Sequence, residues 1–239
     1  MRGGSGEQSP PAREAAVRIL ALADVHGSQA AAERILAAAQ DEGDLGVILL
    51  AGDLTRFFTP YQLPRVLDVF LPTGIPVLAV AGNCDGPAVH RELERTGCSI
   101  AGRGRTVAGI GFCGVPSAPP HRGHTWEVEE AELAAWLEQG YAEMGDHPVK
   151  ILVTHSPPDG IPEGVPGSTA VAEALNRLDF DLVVCGHIHE ARGVTCVPGG
   201  RTLVLNCGCA ADGHYALVEL DEQGILVHVR QVPQHFRKE

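Results

Sequence analysis

Short apolar runs alternate along the chain with longer stretches in which Ala, Leu and Glu recur at helical spacing, the pattern of strands joined by crossover helices. The spacing predicts a strand over Val17–Ala23, then a helix N-capped by Ser28 that runs through Ala32, Ile35 and Leu36. A second strand over Val47–Ala51 precedes helical character near Tyr61–Phe70, and a third over Pro76–Ala81 precedes a helix around Pro87–Thr96. Three β-then-α units in a row imply a parallel sheet buried on both faces. From Cys98 to Val115, and again from Val194 to Val229, the texture changes to short strands broken by Gly, with hairpin turns at Gly199-Gly200 and Glu222-Gln223-Gly224. Between them lie a helix over about Val128–Met144, a strand over Val149–Thr154, a helix N-capped by Ser168 and a strand over Leu182–Cys185. The expected architecture is α/β: a four-layer α/β/β/α sandwich of two mixed β-sheets flanked by helices. Ser117–Thr125 and the Pro/Gly-rich Ser156–Gly167 read as long loops, the segments that most often carry function.

Composition narrows this picture. With 239 residues and 44% hydrophobic content, the chain can bury one sizeable core. The first sixteen residues hold Gly, Pro and Ser without an apolar stretch, so they read as a disordered tail and not a secretion signal, leaving a single domain over 17–239. A formal charge of −12 repels polyanions and argues against long nucleic acid as a partner. No apolar run approaches the ~20 residues that span a bilayer, so no membrane partner is expected. Seven scattered cysteines (Cys84, Cys98, Cys113, Cys185, Cys196, Cys207 and Cys209) contain no CxxC pair, which argues against a disulfide framework and for a reducing, cytoplasmic setting. Cys207-x-Cys209 alone is too closely spaced and isolated to claim a metal. Gly109-Ile-Gly-Phe-Cys-Gly114 matches GxGxxG, but it lies within an apparent strand and precedes a Pro-rich loop, so no helix can follow to receive a dinucleotide.

The chemistry is concentrated where strands end. Asp24-Val-His26 follows the first strand, Gly52-Asp53 the second, Gly82-Asn83-Cys84-Asp85 the third, His155 the Val149–Thr154 strand, and Gly186-His187-Ile-His189 the Leu182–Cys185 strand. Carboxyl ends of strands in open α/β sheets form one ligand-binding edge, so these five fragments can converge on one cleft. They bring together two carboxylates, one amide and four imidazoles, a donor set suited to Mn, Fe, Zn or Ni. Seven ligands exceed the need of one ion; with one bridging carboxylate, each of two ions receives four. Two divalent ions about 3.5–4 Å apart polarise a phosphoryl group and acidify a shared water. Such a cleft carries about two net positive charges and draws in phosphate despite the acidic exterior. Gly52, Gly82 and Gly186 allow close backbone approach beside the ligands.

This order of motifs resembles the calcineurin-like metallophosphoesterase superfamily, whose pattern is D-x-H, G-D, G-N-[HCM]-[DE], H and G-H-x-H across a double-sheet sandwich. The resemblance covers about Val17–Val229 and includes the Thr-His155-Ser-Pro-Pro run. It implies that Asp24, His26 and His189 bind a first metal ion, that Asn83, His155 and His187 bind a second, and that Asp53 bridges them. It implies two divalent transition-metal ions, Mn foremost with Fe, Zn, Ni or Co as substitutes, and in-line attack of a bridging hydroxide on a small phosphoester. The departure is Cys84, where many members carry a His that protonates the leaving group; a thiol stands there in a small bacterial and archaeal phosphodiesterase branch. A thiol of ordinary pKa ~8.5 is a weaker donor than an imidazolium, which favours a phosphodiesterase over a phosphomonoesterase or protein phosphatase of the same fold. Asp85 fits an orienting or helix-capping role better than that of the acid. His121 and His124, in the Pro-rich loop, are candidates for a proton donor or substrate contact. His90, His147, His214, His228 and His235 read as surface or structural, His214 being the closest to a loop that could reach the cleft. The superfamily also includes a retromer subunit that serves as an interaction platform, so a non-catalytic scaffold is the alternative from another functional class; all seven ligand positions here hold competent residues.

Overall fold

Strict alternation within the buried strands sets the layers of the fold. In the computed structural model, which describes residues 17–57, 59–121, 123, 126–221 and 224–233, strand β1 (Val17–Leu22) turns Ile19 and Ala21 to one face and Leu20 and Leu22 to the other. The first pair packs between two sheets, the second against helices, as the two-residue period of a strand requires. β2 (Val47–Ala51) and β3 (Val77–Val80) repeat the arrangement, pairing parallel to β1 in the order β1-β2-β3. Helices α1 (Gln29–Asp41), α2 (Leu63–Phe70) and α3 (Gly86–Arg95) cover the outer face of this sheet. α1 buries Ala31, Ala32, Ile35, Leu36 and Ala39, a stripe at helical spacing. The helical region predicted near Tyr61–Phe70 divides into a 3₁₀ turn over Pro60–Gln62 and then α2, with Pro64 in the first turn of α2, where a missing N–H costs nothing.

The second sheet starts with the hairpin β4 (Gly104–Val107) and β5 (Ile110–Val115). Helix α4 (Glu130–Met144), β6 (Lys150–Thr154), α5 (Thr169–Leu175) and β7 (Leu182–Cys185) follow. β8 (Gly193–Cys196) and β9 (Leu203–Asn206) complete it in the order β4-β5-β6-β7-β9-β8. The final hairpin, β10 (His214–Asp221) and β11 (Gly224–Gln231), returns to the first sheet beside β1. Both sheets are therefore mixed: the first joins parallel β1-β2-β3 to an antiparallel hairpin on one side, and the second has antiparallel edges on a parallel centre. One apolar core lies between them, built from residues such as Leu49, Val80, Phe112 and Val184; a second lies between the first sheet and α1–α3, and a third joins the second sheet to α4 and α5 through Leu133, Leu137, Val171 and Phe180. The result is the four-layer α/β/β/α sandwich that the element order predicts.

Two capping expectations have different outcomes. Ser168 accepts the Val171 N–H at 3.2 Å and caps α5 with its side chain, whereas Ser28 precedes α1 without a side-chain cap. Gly109 sits at the β4–β5 turn with φ +76°, and β5 leads into a loop with no helix at its end, so the GxGxxG match has no dinucleotide geometry. The expected tail over 1–16, the turn residues Glu222 and Gln223, and His235 lie outside the described residues. No helix among the described residues is long and apolar enough to cross a membrane.

Candidate metal centre

The parallel strands of both sheets point their carboxyl ends to one edge, and the loops there lock to one another through the backbone. Asp24 N–H donates to the Gly52 carbonyl at 2.9 Å, His26 N–H to Asp53 at 2.9 Å and Gly27 N–H to Leu54 at 2.8 Å, so the segments after β1 and β2 run on as a pair. The second sheet joins them when His187 N–H donates to Asp24 Oδ2 at 2.9 Å. Among the described residues, six non-glycine positions have positive φ, and four of them are Asp24, His26, Asp53 and His187, at 56°, 47°, 52° and 65°. Each such residue costs on the order of 1–2 kcal/mol, and this concentration at one edge is the signature of a functional site held in place by its surroundings.

The side chains form two groups. In one, Asp24 Oδ1 lies 3.0 Å from His189 Nε2 and 3.8 Å from His26 Nε2, and the rings of His26 and His189 are 5.6 Å apart. In the other, His155 Nε2 lies 2.9 Å from Asn83 Oδ1 and 3.4 Å from Asp53 Oδ1, with the His187 ring 5.0 Å from that of His155. Asp53 belongs to both neighbourhoods: ligand atoms of Asp24, Asp53 and His155 lie within 4.8 Å of one another, as do those of His26, Asp53 and Cys84. Asp24, Asp53, Asn83 and His155 are buried. The structure thus brings together all seven residues singled out at the strand ends.

The donor set tests whether a metal fits. His155 Nδ1 lies 3.0 Å from the Ala51 carbonyl, an acceptor only, so that nitrogen carries the proton and Nε2 presents a lone pair. This lone pair faces an amide oxygen and a carboxylate oxygen, three acceptors with no shared hydrogen. Such a convergence needs positive charge, either a second proton on His155 or a cation. Without a cation the balance falls on the proton: burial disfavours the imidazolium, but Asp53 and then Asp24 raise the His155 pKa to about 9. Asp53 responds in the opposite sense, burial pushing its pKa up while the His155 charge and hydrogen bonds from His155 and Cys84 hold it well below the usual carboxylate range. The hydrogen bond to Asp24, then that with Cys209, raises His189 to about 11. Carboxylates, an amide oxygen and oriented imidazoles suit divalent transition metals, so the residues fit.

The glycines are part of the same construction. A Cβ on Gly82 would collide with the carboxylate and backbone nitrogen of Asp53, one on Gly52 with the His155 ring, and one on Gly186 with Asp24 Oδ2. Gly82→Ala should therefore displace Asp53, destabilise the fold by about 1–3 kcal/mol in urea titration and weaken metal retention. An unchanged midpoint and metal content would contradict this account of Gly82.

Asp85 orients and does not cap. It stands at the N-cap position of α3 with no side-chain cap, and its buried carboxylate instead accepts from Gly82 N (2.7 Å), Leu54 N (3.1 Å), Thr55 N (2.7 Å) and Thr55 Oγ1 (2.9 Å). Burial and then the Asp53 charge push its pKa up to about 6 against these donors. Cys84 lies at the site with its backbone N–H donating to Asp53 Oδ1 at 2.8 Å. Burial, followed by the Asp53 charge, drives its thiol well above the ordinary range.

A cleft of about 420 Å³ opens over the two groups, bordered by Cys84, His121, Phe57, Pro166, Ile188 and Glu190 as well as five of the strand-end residues, His26, Asp53, Asn83, His187 and His189. His121 thus reaches the cleft, while His124 lies outside the described residues. The loop that carries His121 is anchored at both ends, by Ser117 N–H to the Ala81 carbonyl at 2.8 Å and Trp126 N–H to the Asn83 carbonyl at 3.0 Å. His90 packs on Trp126 and Trp136, a structural position, and His214 is half-buried at the start of β10 outside the cleft lining. Sequence reasoning marked the loop over 206–211 as one that could approach the cleft, but gave Asn206 no role and made no metal claim for Cys209. Asn206 ends the parallel strand β9, and its Nδ2 donates to the Gly186 and Ile188 carbonyls at 3.0 and 3.1 Å, fixing the turn that carries His187. The signal was the same as elsewhere, an apolar run (Leu203–Leu205) ending in Asn, but nothing in the sequence marked this strand as parallel.

The model of the calcineurin-like phosphoesterase family matches residues 17–191, which includes every one of the seven strand-end residues. The chain belongs to that family. Membership implies phosphoester hydrolysis. Among curated proteins, none matches the sequence significantly. Among solved structures, the fold is similar to protein TT1561 of Thermus thermophilus, at 19% identity and TM-score 0.72, covering 90% of this chain and 99% of that one. It is also similar to a dimetal phosphatase from Danio rerio, at 12% identity and TM-score 0.64 with 90% and 96% covered. A 5'-nucleotidase from Candida albicans matches at 13% identity and TM-score 0.61, covering 90% of this calcineurin-like chain and 52% of the nucleotidase. At these identities the likeness is one of fold.

Proposed function

We propose that the chain is a single metallophosphoesterase domain over 17–239 that hydrolyses a small phosphodiester with the aid of two divalent transition-metal ions. The supporting observation is the division of the imidazoles into two pairs, His26 with His189 and His155 with His187, around the shared carboxylate of Asp53. Asp24, His26 and His189 would hold one ion, Asn83, His155 and His187 the other, with Asp53 between them. Bound there, such ions polarise phosphoryl oxygens and lower the pKa of water. The chain's own groups keep this arrangement rigid: the Ala51 carbonyl sets the His155 tautomer, and the Asp24 carboxylate accepts the His187 N–H.

A diester is favoured on two grounds. The Cys84 thiol, raised in pKa by burial and Asp53, is a poor proton donor, so leaving groups that depart without an acid are handled best. Glu190 borders the cleft, and its charge opposes a dianionic monoester more than a monoanionic diester. His121, which borders the cleft, can touch the substrate or supply a proton. The cleft suits a small ligand, the net charge of −12 opposes long nucleic acid, and seven free thiols accord with a reducing, cytoplasmic setting.

Stripped protein given back Mn, Fe, Zn, Ni or Co in turn should hydrolyse an aryl phosphodiester faster than the matching monoester, and a chelator should abolish both. The reverse preference would assign a phosphomonoesterase. Metal-independent inertness would assign a scaffold. Cys84→His should raise the rate on esters with poor leaving groups relative to aryl esters; an unchanged ratio would remove Cys84 from the account of proton donation.

A further inference from the structure

The segment after β9 brings a third kind of donor to the first group of ligands. Ligand atoms of His26, His189 and Cys209 all lie within 4.8 Å of one another. Cys209 is held there by the backbone: it bridges to Ala23 at the end of β1, Ala210 N–H donates to the Ala23 carbonyl at 2.9 Å, and Ala211 N–H to Asp24 at 3.1 Å. The preceding turn is fixed by Gly208, at φ +69°, whose N–H donates to Asn206 Oδ1 at 2.9 Å. Cys209 is 4% exposed, and its Sγ donates to the Asp24 carbonyl oxygen at 3.4 Å.

We propose that Cys209 is a thiolate ligand of the ion held by Asp24, His26 and His189. This rests on the dinuclear reading above and goes beyond it, because it makes the two positions chemically unequal. On coordination the S–H bond breaks, the sulfur keeps the electron pair and donates it to the metal, and the proton leaves to solvent. Cys84 is the other thiol within reach, in a cluster with His26 and Asp53, but its backbone N–H donates to Asp53 Oδ1 at 2.8 Å, which holds its thiol beside that carboxylate. Ionising it there would set two anions side by side. Cys209 instead shares its cluster with two imidazoles. A thiolate makes the first position softer than the second, whose donors are nitrogen and oxygen, so Zn or Fe should displace Mn from the first position and leave the second open to Mn.

The test is spectroscopic. Stripped full-length protein loaded with Co²⁺ should show a sulfur-to-cobalt charge-transfer band in the near ultraviolet, retained in Cys84→Ser and lost in Cys209→Ser. X-ray absorption at the zinc edge should show one sulfur scatterer in wild type and in Cys84→Ser. This second measurement decides the matter even where Cys209→Ser fails to fold, since with Cys84 replaced Cys209 is the one thiol left in a ligand cluster among the described residues. Two equivalents of metal bound without sulfur, or a band lost in Cys84→Ser, would overturn the proposal and leave the dinuclear reading standing. Protein that binds no metal would overturn both.

Discussion

Asp53→Asn should abolish hydrolysis of an aryl phosphodiester and lower metal content, with little change in the circular dichroism of the protein. The substitution keeps the volume of the side chain but replaces one carboxylate oxygen by an NH₂ group. Asp53 Oδ1 accepts the Cys84 N–H at 2.8 Å and stands 3.4 Å from His155 Nε2, and the same side chain shares a ligand cluster with Asp24 and another with His26. An amide in that place cannot bridge two cations, and it removes one of the two negative charges that offset them. Loss of a partner one step removed from a metal costs roughly 10–100-fold in affinity or activity; loss of the shared ligand itself should exceed that. His155→Ala should fail in the same assay, though by opening one position instead of both. Turnover near the wild-type rate in either variant, with metal present, would refute the assignment.

The largest effect on stability should come from Asp85→Ala. Its carboxylate collects three backbone N–H groups and a hydroxyl from Gly82, Leu54 and Thr55, all in buried surroundings. Alanine leaves these donors without an acceptor and a cavity between the ends of β2 and β3. Each orphaned buried donor costs about 1–3 kcal/mol, and because the penalties share one space the total should be on the order of 3 kcal/mol. Urea unfolding of the metal-free protein isolates this term from metal binding. Asp85→Asn should fall between wild type and alanine, since its oxygen can serve one side of the network while its NH₂ faces donors on the other. A midpoint shift below a few tenths of a kcal/mol for Asp85→Ala would show that water replaces the carboxylate at no cost. The same network spaces Asp53 from Asn83, so metal affinity should fall in parallel.

These two residues also show how unevenly the site could be read from the chain alone. Asp53 was legible because it follows an apolar run and a glycine, the local pattern of a strand ending at a ligand-binding edge. The role of Asp85 was only half legible. Its place before α3 suggested a cap, but its partners Leu54 and Thr55 lie about thirty positions earlier, a proximity that depends on the pairing of β2 with β3. Cys84 is similar: its type was evident, whereas the burial and the Asp53 contact that suppress its acidity exist only in the fold.

What the amino-acid order determined by itself was local: continuous apolar runs of strand length, helical stripes such as that of α1, and polar fragments at the strand ends. From these the layers and the seven strand-end residues followed, because side-chain alternation and strand direction are properties of the backbone that any short segment expresses. The tertiary structure decided what local pattern cannot encode, namely which strand lies beside which and in what direction. The parallel pairing of β9 with β7 carried Asn206 to the Gly186 turn and Cys209 to His26 and His189, and the contact between sheets set His155 against Asn83 and Asp53. Those distances are fixed by packing among residues far apart in the chain, where a shift of one residue in register would turn every side chain to the opposite face.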